Sequence, residues 1–362
     1  MGQPLTYVHI GVGGWGQHWC TEVLPRLNRI GLAQPAAAVD INPEALAKAQ
    51  EQLDLSEKQL YTDAEEAIAQ TRPDFINIVV PPASHERMVD LAIKYDCHIL
   101  SEKPIADTMD ACCRIYKKVM SAGKKMAVTM SHRFDQDKQT LEHEIKSDKY
   151  GRLNYIVARF THNCRKFGSW GEFRHKIPDP LLVEGTVHHF DILRALSGSD
   201  AKKVHTLSWN PPWGEYAGDS TALILIEMQN GTNCMYEGAK ANASTLNGWT
   251  NEYFRAECEH GTLTLDCRKL ELLRGEAWDE PEVEEIPLLE QEVWTNPWLA
   301  ELFCKWLNGE PAPPNNLDDN IQCAALLFAA VESAHTGKIV DVQAFLETHM
   351  KAVETEIGHE AI

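Results

Sequence analysis

The sequence has 362 residues, of which 44% are hydrophobic and 24% are charged, as in a folded globular protein long enough for two domains. Its 53 Asp and Glu residues against 34 Lys and Arg residues give a net charge of −19, which argues against binding to nucleic acids or to anionic membranes. The start lacks a secretion signal, no apolar run approaches the roughly 18 residues of a membrane span, and the cysteines form no CxxC pair. We therefore expect a cytoplasmic protein.

The first third of the chain alternates short apolar runs with helical patterns. Strands are predicted near residues 7–12, 36–39, 75–80, 98–100 and 126–129, with helix-forming stretches between them. Such alternation is typical of βαβ units around a parallel sheet. We predict a doubly wound Rossmann domain over residues 1–130.

The remaining residues, 131–362, follow a different pattern. A helical stretch at 140–145 and a strand at 153–160 precede closely spaced strand-like runs between 204 and 273, separated by Asn-Gly and His-Gly turns. A helix is predicted over 318–335. This pattern indicates an α+β domain with an antiparallel or mixed sheet.

A glycine-rich segment follows the first predicted strand. Its residues Gly11-Val12-Gly13-Gly14-Trp15-Gly16 match GxGxxG and precede a helical stretch, which is the context that gives the pattern its meaning. The glycines permit a tight turn, close approach of a pyrophosphate and packing of helix on strand, and the helix N-terminus offers N–H groups to the phosphates. We predict that this segment binds a dinucleotide through Gly11, Gly13, Gly14, Trp15 and Gly16.

An acidic residue closes the second predicted strand. Asp40 lies 24 residues after Gly16, about where a carboxylate hydrogen-bonds the adenosine ribose. That carboxylate would repel a 2′-phosphate, and no Arg or Lys stands between Asp40 and Lys48. The sequence therefore favours NAD over NADP, although Asp before Asn42-Pro43 also suits a plain turn.

Two further strand ends carry polar side chains, in Val80-Pro81-Pro82 and in Ser101-Glu102-Lys103-Pro104. Ligands of open α/β sheets bind at the carboxyl ends of the strands. The candidate cofactor residues there are Pro81, His85, Glu102 and Lys103. A Lys-Pro loop can equally be an exposed turn.

The segment 182–196 carries the main polar cluster of the second half. In a helix, Glu184, His188 and Asp191 share one face, and a histidine beside a carboxylate is a candidate proton acceptor. The alternative is a core helix with hydrogen-bonded structural residues, but the upstream fingerprint favours the functional interpretation. Because no third ligand stands at a diagnostic spacing from His188-His189 and Glu184, we predict no metal.

Four segments together resemble the Gfo/Idh/MocA oxidoreductase family over nearly the whole chain: the Gly11 fingerprint, Glu102-Lys103-Pro104, the 184–191 segment and the ending Ser333-Ala-His-Thr-Gly-Lys-Ile-Val. The resemblance implies a Rossmann domain followed by an α+β domain. The large, open, mostly antiparallel sheet of that second domain covers the substrate and forms the interface of a homodimer or homotetramer. Family members mostly oxidise or reduce hydroxyls of sugars, cyclitols and related compounds.

The resemblance also implies residue roles. Lys103 matches the family's EKP lysine, and Glu184 and His188 match its Asp-x-x-x-His catalytic pair, with Glu in place of the usual Asp. Arg133 and Arg174 resemble substrate-side positions, and either can instead be an ordinary salt-bridging arginine. The other candidate substrate contacts are Trp170, His189 and Asp191.

The expected chemistry is hydride transfer between a polyol carbon and nicotinamide. His188 accepts the hydroxyl proton, Lys103 stabilises the negative charge that develops on the oxygen, and Glu184 orients His188 or binds a neighbouring hydroxyl. Two alternatives stay open. One is glycoside cleavage through transient oxidation with tightly held NAD, and the other is a non-catalytic regulator that senses the cofactor, which would need neither Lys103 nor His188.

Overall fold

Two units make up the chain in the computed structural model, which describes residues 3–360, with side chains over residues 3–355. The first unit comprises the described parts of Met1–Ser131, Val293–Ile321 and His349–Ile362. The second comprises His132–Glu292 and Gln322–Thr348. Each unit contains one sheet.

The first unit is built on six parallel strands in the order β3-β2-β1-β4-β5-β6. This is the strand order of a doubly wound dinucleotide-binding sheet, and it confirms the predicted Rossmann fold. Every residue of the central strand β4 is buried, because a parallel sheet carries helices on both faces. The strands are β1 Leu5–Ile10, β2 Ala33–Val39, β3 Leu60–Tyr61, β4 Phe75–Ile78, β5 His98–Ser101 and β6 Met126–Val128.

Helices of the first unit begin where the sequence offers capping side chains. Asn42, Asp63 and Thr108 each accept a hydrogen bond from a backbone N–H in the first turn of the helix that follows. The helix after the glycine segment contains a π-helical stretch, Trp19–Val23, between α1 and α2. The helices are α1 Trp15–His18, α2 Leu24–Arg29, α3 Pro43–Gln52, α4 Ala64–Thr71, α5 His85–Lys94 and α6 Met109–Ser121.

A late helix of the chain also belongs to the first unit. In α10, Thr295–Leu307, the side chain of Phe303 packs edge-on against Phe75 of β4, with ring centroids 5.3 Å apart, and Glu301 pairs with Arg26. The sequence-based division treated residues 131–362 as one continuous domain. The structure instead groups 293–321 with the Rossmann sheet, because the apolar face of α10 is buried there.

The second unit contains a nine-stranded sheet in the order β14-β13-β12-β11-β7-β10-β9-β8-β15, in which only β7 and β10 run parallel. It is the predicted mostly antiparallel sheet. Its strands are β7 Leu153–Thr161, β8 Ala201–Trp209, β9 Thr221–Met228, β10 Asn233–Ala239, β11 Tyr253–Cys258, β12 Gly261–Asp266, β13 Lys269–Arg274, β14 Glu282–Ile286 and β15 Val340–Asp341.

Helices cover one face of this second sheet. Both α7 and α9 pack against it, and α9 is buried on all sides, so it lacks the polar outer face of an ordinary surface helix. The remaining helices are α7 Gln136–Lys146, α8 Glu172–Lys176, α9 Val187–Ser197, α11 Leu317–Thr336 and α12 Val342–Glu360, of which the last two contribute residues to both units. Within residues 3–360, no helix is both long and apolar enough to cross a membrane.

Candidate functional site

The glycine segment of the first unit leaves no room for side chains at two positions. A Cβ on Gly16 would lie 1.9 Å from the carbonyl oxygen of Gly11, and a Cβ on Gly11 would lie 2.1 Å from that of Val79. Gly11 also has φ +87°, a conformation that favours glycine. These contacts pack the helix that follows closely on β1 and β4. A Cβ on Gly14, by contrast, would meet no atom within 4 Å, so the loop is open on that side.

The carboxylate of Asp40, directly after β2, is bonded to the glycine segment. Its Oδ2 accepts hydrogen bonds from the backbone N–H groups of Val12 and Gly13, both at 2.9 Å, and its Oδ1 accepts one from the N–H of Asn42. The carboxylate therefore holds the loop at the carboxyl ends of β1 and β2. A glycine loop with one open face and an acidic residue beside it is the arrangement that dinucleotide binding requires.

Glu102 connects the glycine segment to the loop after β5. Its Oε1 accepts hydrogen bonds from the indole N–H groups of Trp15, at 2.8 Å, and Trp19, at 2.9 Å. Trp15 is half exposed and stacks on His18, whereas Trp19 and Glu102 are buried. Glu102 thereby fixes the loop that carries Lys103.

His85 joins two strand ends of the same sheet. Its Nε2 lies 2.9 Å from the carbonyl oxygen of Val80, and its Nδ1 lies 3.1 Å from those of Pro104 and Ile105. The ring is fully buried, and this burial lowers its pKa although the surrounding carbonyls oppose the shift. In the structure His85 therefore braces the loops that carry Pro81 and Lys103, and its contact with a cofactor stays a prediction.

The three polar residues of the 182–196 segment lie on a helix that starts with a π-helical turn. That turn spans Leu182–Thr186 and contains Glu184, whereas His188 and Asp191 lie on α9. The regular α-helical spacing assumed from the sequence therefore does not hold over the first turn. Such π-turns occur frequently at functional sites. All three side chains are buried, and His188 is only 6% exposed.

Both acidic residues of this segment form ion pairs with arginines. Glu184 Oε2 lies 3.1 Å from Nε of Arg174. Asp191 Oδ1 lies 3.5 Å from Nη1 of Arg133 and 3.7 Å from Nη1 of Arg194. The two arginines proposed for substrate binding, Arg174 and Arg133, thus form ion pairs with Glu184 and Asp191, which are proposed for the same site.

An imidazole and indole cluster surrounds His188. The ring of His132 lies against it, with centroids 4.4 Å apart and an interplanar angle of 36°. Trp249 meets both rings edge-on, at 5.0 Å from His132 and 5.9 Å from His188. Sequence reasoning missed His132 and Trp249, since they are distant from 182–196 along the chain and belong to no recognisable motif.

Glu252, which directly precedes β11, contacts two histidines and a lysine in this region. Its Oε1 lies 2.9 Å from Nδ1 of His132 and 3.7 Å from Nε2 of His189, and its Oε2 lies 2.7 Å from Nζ of Lys138. Burial alone would raise the pKa of Glu252, but Lys138 and the two histidines hold it well below its usual range. The carboxylate is therefore ionised, and no feature of the sequence distinguished it.

His189, the neighbour of His188, is fully buried. Its Nδ1 lies 2.9 Å from the hydroxyl of Tyr236 on β10, and the ring packs on Phe160 with centroids 4.7 Å apart. Burial lowers its pKa to about 4, against the opposing effect of Glu252, so the ring is neutral near pH 7. Its predicted contact with substrate is untested.

A buried lysine lies over three aromatic rings of the same region. Nζ of Lys240 is 3.5 Å from the ring centre of Trp170, 4.2 Å from that of Trp249 and 4.3 Å from that of Phe160. Such cation–π contacts are strongest when desolvated, and Lys240 is fully buried. In the structure Trp170, a predicted substrate contact, therefore packs on a cation.

The described residues contain no group of three or more His, Cys, Asp or Glu side chains arranged to hold a metal ion.

Residues 5–130 match the model of the Gfo/Idh/MocA family, which is described as an oxidoreductase family with an NAD-binding Rossmann fold. Residues 142–342 match the model of the family's C-terminal alpha/beta domain. The chain belongs to the Gfo/Idh/MocA oxidoreductase family. The resemblance noted from the sequence is thereby confirmed, and the chain is an oxidoreductase of this family.

Several relatives accompany the family match. An uncharacterised protein of Sinorhizobium fredii is 42% identical over 97% of this chain and 100% of its own length. An inositol 2-dehydrogenase of Pseudarthrobacter chlorophenolicus is 27% identical over 64% of this chain and 66% of its own. A D-glucoside 3-dehydrogenase of Escherichia coli is 26% identical over 78% of this chain and 83% of its own.

The fold of this Gfo/Idh/MocA chain also matches solved structures. An oxidoreductase from Agrobacterium radiobacter, determined in complex with NAD+, L-tartaric acid and magnesium, superimposes with a TM-score of 0.81. The match covers 94% of this chain and 99% of that one at 20% sequence identity. At this identity the likeness bears on the fold alone.

Proposed function

We propose that this protein is an NAD-dependent dehydrogenase that transfers a hydride between nicotinamide and a hydroxyl or carbonyl of a sugar, cyclitol or related polyol. The observation that carries the proposal is the buried His188, packed with His132 and Trp249 in the unit that follows a glycine-loop Rossmann unit. Relatives named as inositol and glucoside dehydrogenases support the substrate class.

The choice of NAD over NADP is supported by Asp40. Its carboxylate is held beside the glycine segment by the N–H groups of Val12 and Gly13. An ionised side chain in that position hydrogen-bonds ribose hydroxyls and repels a 2′-phosphate. We assign cofactor binding to Gly11, Gly13, Gly14, Trp15, Gly16, Asp40, Pro81, His85, Glu102 and Lys103.

NAD held by the glycine loop would supply the hydride acceptor for oxidation, and NADH would supply the hydride donor for reduction. In this proposal His188 takes the hydroxyl proton during oxidation and returns it during reduction. Lys103 is the second catalytic residue, since an ammonium stabilises the negative charge that grows on the oxygen as its proton leaves. Glu184, which forms an ion pair with Arg174, orients His188 or binds a neighbouring substrate hydroxyl.

Substrate recognition is assigned to Arg133, Trp170, Arg174, His189 and Asp191. Their contacts support a rigid site, because the Arg133–Asp191 ion pair, the hydrogen bond of His189 to Tyr236 and the packing of Trp170 on Lys240 fix these side chains. Preorganised polar groups of this kind discriminate between hydroxyl-rich substrates better than mobile ones.

We further propose that the protein forms a homodimer or homotetramer through the open face of the second sheet. Large apolar side chains are exposed on three adjacent strands of that face, at Leu207, Trp209, Leu223, Leu225 and Met235. A contiguous exposed apolar patch marks an interaction surface, and a second copy presents the same patch.

The dehydrogenase proposal is tested by absorbance at the NADH band. Purified protein is incubated with NAD or NADP and a panel of sugars, inositols, sugar acids and glycosides, alongside Lys103→Ala and His188→Ala. The matched controls are Lys124→Ala, which removes an ion pair with Asp96, and His335→Ala, which removes a surface contact with Asp179. We expect NADH formation that falls about 10²-fold or more in the two test variants and not in the controls.

Other outcomes separate the alternatives. Cleaved glycoside without accumulated NADH identifies the transient-oxidation enzyme. Tight NAD binding with neither product across the panel, in a protein that retains its fold, favours the regulator.

A further inference from the structure

Two imidazole rings lie against each other at the proposed proton acceptor. His132 stands in a 3₁₀ turn, Ser131–Phe134, and His188 stands on α9, and their ring centroids are 4.4 Å apart. Two positive charges at this separation repel each other strongly in a buried environment. A proton that His188 accepts is therefore affected by how the neighbouring His132 ring is oriented and what charge surrounds it.

Glu252 determines how His132 is held. The carboxylate is fully buried and lies 2.9 Å from Nδ1 of His132. A carboxylate only accepts hydrogen bonds, so Nδ1 of His132 must carry a proton. The orientation of the His132 ring, and with it the face presented to His188, follows from this bond.

We propose that Glu252 is a positioning residue of the oxidoreductase reaction: through its bond to His132 it holds that imidazole against His188, and its charge stabilises the proton that His188 takes from the substrate. This inference rests on the proposed function of His188. Glu252 itself acts through His132 and is not assigned a contact with substrate.

The charged groups near the two imidazoles determine whether loss of the Glu252 charge favours or disfavours a protonated ring. Charged and titratable groups that contact the imidazole cluster or its carboxylate include Glu252, Lys138, His189 and Lys240, with Asp135, Asp137 and Arg268 beside Lys138; on the segment of His188 itself lie the Glu184–Arg174 and Asp191–Arg133 pairs. Lys138 also pairs with Asp137, at 3.1 Å, so it remains charged when Glu252 is neutralised. Loss of the Glu252 charge therefore makes the environment of both imidazoles more positive.

The test is the pH dependence of NADH formation by Glu252→Gln. Glutamine keeps the shape and an oxygen that accepts from His132, while it removes the charge. A more positive environment disfavours a protonated imidazole, so the acidic limb of the kcat profile should move down by about one pH unit. We also expect kcat to fall about tenfold with KM changed less than threefold, because a weaker base slows proton transfer.

The matched control is Glu144→Gln. Glu144 is a buried carboxylate of the same unit, but its partners are Tyr150 and Lys149 rather than histidines. Glu144→Gln should therefore leave the pH profile of kcat unchanged. An unshifted Glu252→Gln profile, or an equal shift in Glu144→Gln, overturns the proposal.

A second measurement is independent of turnover. ¹⁵N-histidine NMR of the full-length protein reports which ring nitrogen of each histidine is protonated, and His132→Gln assigns the His132 signals. We expect Nδ1 of His132 to be protonated in the natural protein and its signals to move in Glu252→Gln. Unchanged signals overturn the proposal even in an active enzyme. If the natural protein forms no NADH with any substrate while these signals behave as expected, the dehydrogenase assignment fails and the placement of His132 by Glu252 stands.

Discussion

Oδ2 of Asp40 lies 2.9 Å from the backbone nitrogen of Gly13, so the residue proposed to select the cofactor also holds the loop proposed to bind it. The same oxygen accepts from Val12. A substitution of Asp40 that removes both the charge and the acceptor oxygen therefore changes two things together, the charge near the ribose and the geometry of the glycine segment.

We expect Asp40→Ser to weaken NAD binding at least tenfold and to reduce the preference for NAD over NADP, because repulsion of the 2′-phosphate is lost. Titration with the fluorescent reduced cofactors, NADH and NADPH, measures both the affinity and the preference. Asp63→Ser is the control, since Asp63 caps α4 in the same unit and serine retains a capping oxygen. An unchanged NAD to NADP ratio in Asp40→Ser would refute the role assigned to Asp40.

Two glycines of the fingerprint should respond differently to alanine. In Gly16→Ala the new Cβ meets the Gly11 carbonyl at 1.9 Å, so we expect a lower melting temperature as well as lost NAD binding. In Gly13→Ala the nearest atom, Oδ2 of Asp40, is 3.4 Å away, so stability should be retained while NAD binding falls. Calorimetry paired with NAD titration distinguishes the two, and equal loss of stability in both variants would contradict this interpretation.

Glu102→Ala removes the acceptor of two indole N–H groups. Because Trp19 is fully buried, its donor would be left without a partner at a cost of about 1–3 kcal/mol of unfolding free energy. Urea unfolding followed by tryptophan fluorescence measures this cost. In a double-mutant cycle with Trp19→Phe, the two effects should be less than additive, and strict additivity would show that the bond contributes nothing.

His9 makes the first unit sensitive to acid. Its Nδ1 lies 3.0 Å from Nδ2 of Asn77, and burial lowers its pKa from 6.5 to about 4. The unfolded chain therefore binds one more proton than the folded chain between these values, and stability is complete above pH 6.5 and is lost as the pH falls towards 4. Between pH 7 and pH 5 we expect His9 alone to account for about 2 kcal/mol. Thermal unfolding of His9→Gln should show a correspondingly smaller pH dependence, and an equal dependence in both proteins would exclude this cause.

The proposed oligomer is tested by placing a charge on the apolar face. Leu225→Asp places a carboxylate on an exposed position of β9 and should dissociate the assembly, as measured by light scattering coupled to size-exclusion chromatography. Leu246→Asp, at another exposed leucine outside the strands, is the control. A natural protein that elutes as a monomer would end this proposal.

The sequence by itself determined the Rossmann unit, because its signals are local. The glycine fingerprint, the acidic residue after β2 and the apolar runs of the strands lie within a short stretch of chain, and backbone geometry links such spacing directly to structure. The hairpin strands of the second sheet were predictable for the same reason. The short strands β3 and β15 were not, since two residues carry too little pattern.

Only the tertiary structure decided which side chains surround His188. His132 lies in a turn, whereas Trp249 and Glu252 lie close together just before β11. Both places are far from His188 in sequence, and no periodicity relates them to it. The sequence pattern also did not predict that α10 packs on the Rossmann sheet or that Glu184 lies in a π-helical turn. Burial gives the physical reason. A charge such as that of Glu252 is tolerated in the interior only where the fold brings Lys138 and His132 next to it, and that proximity depends on the tertiary structure.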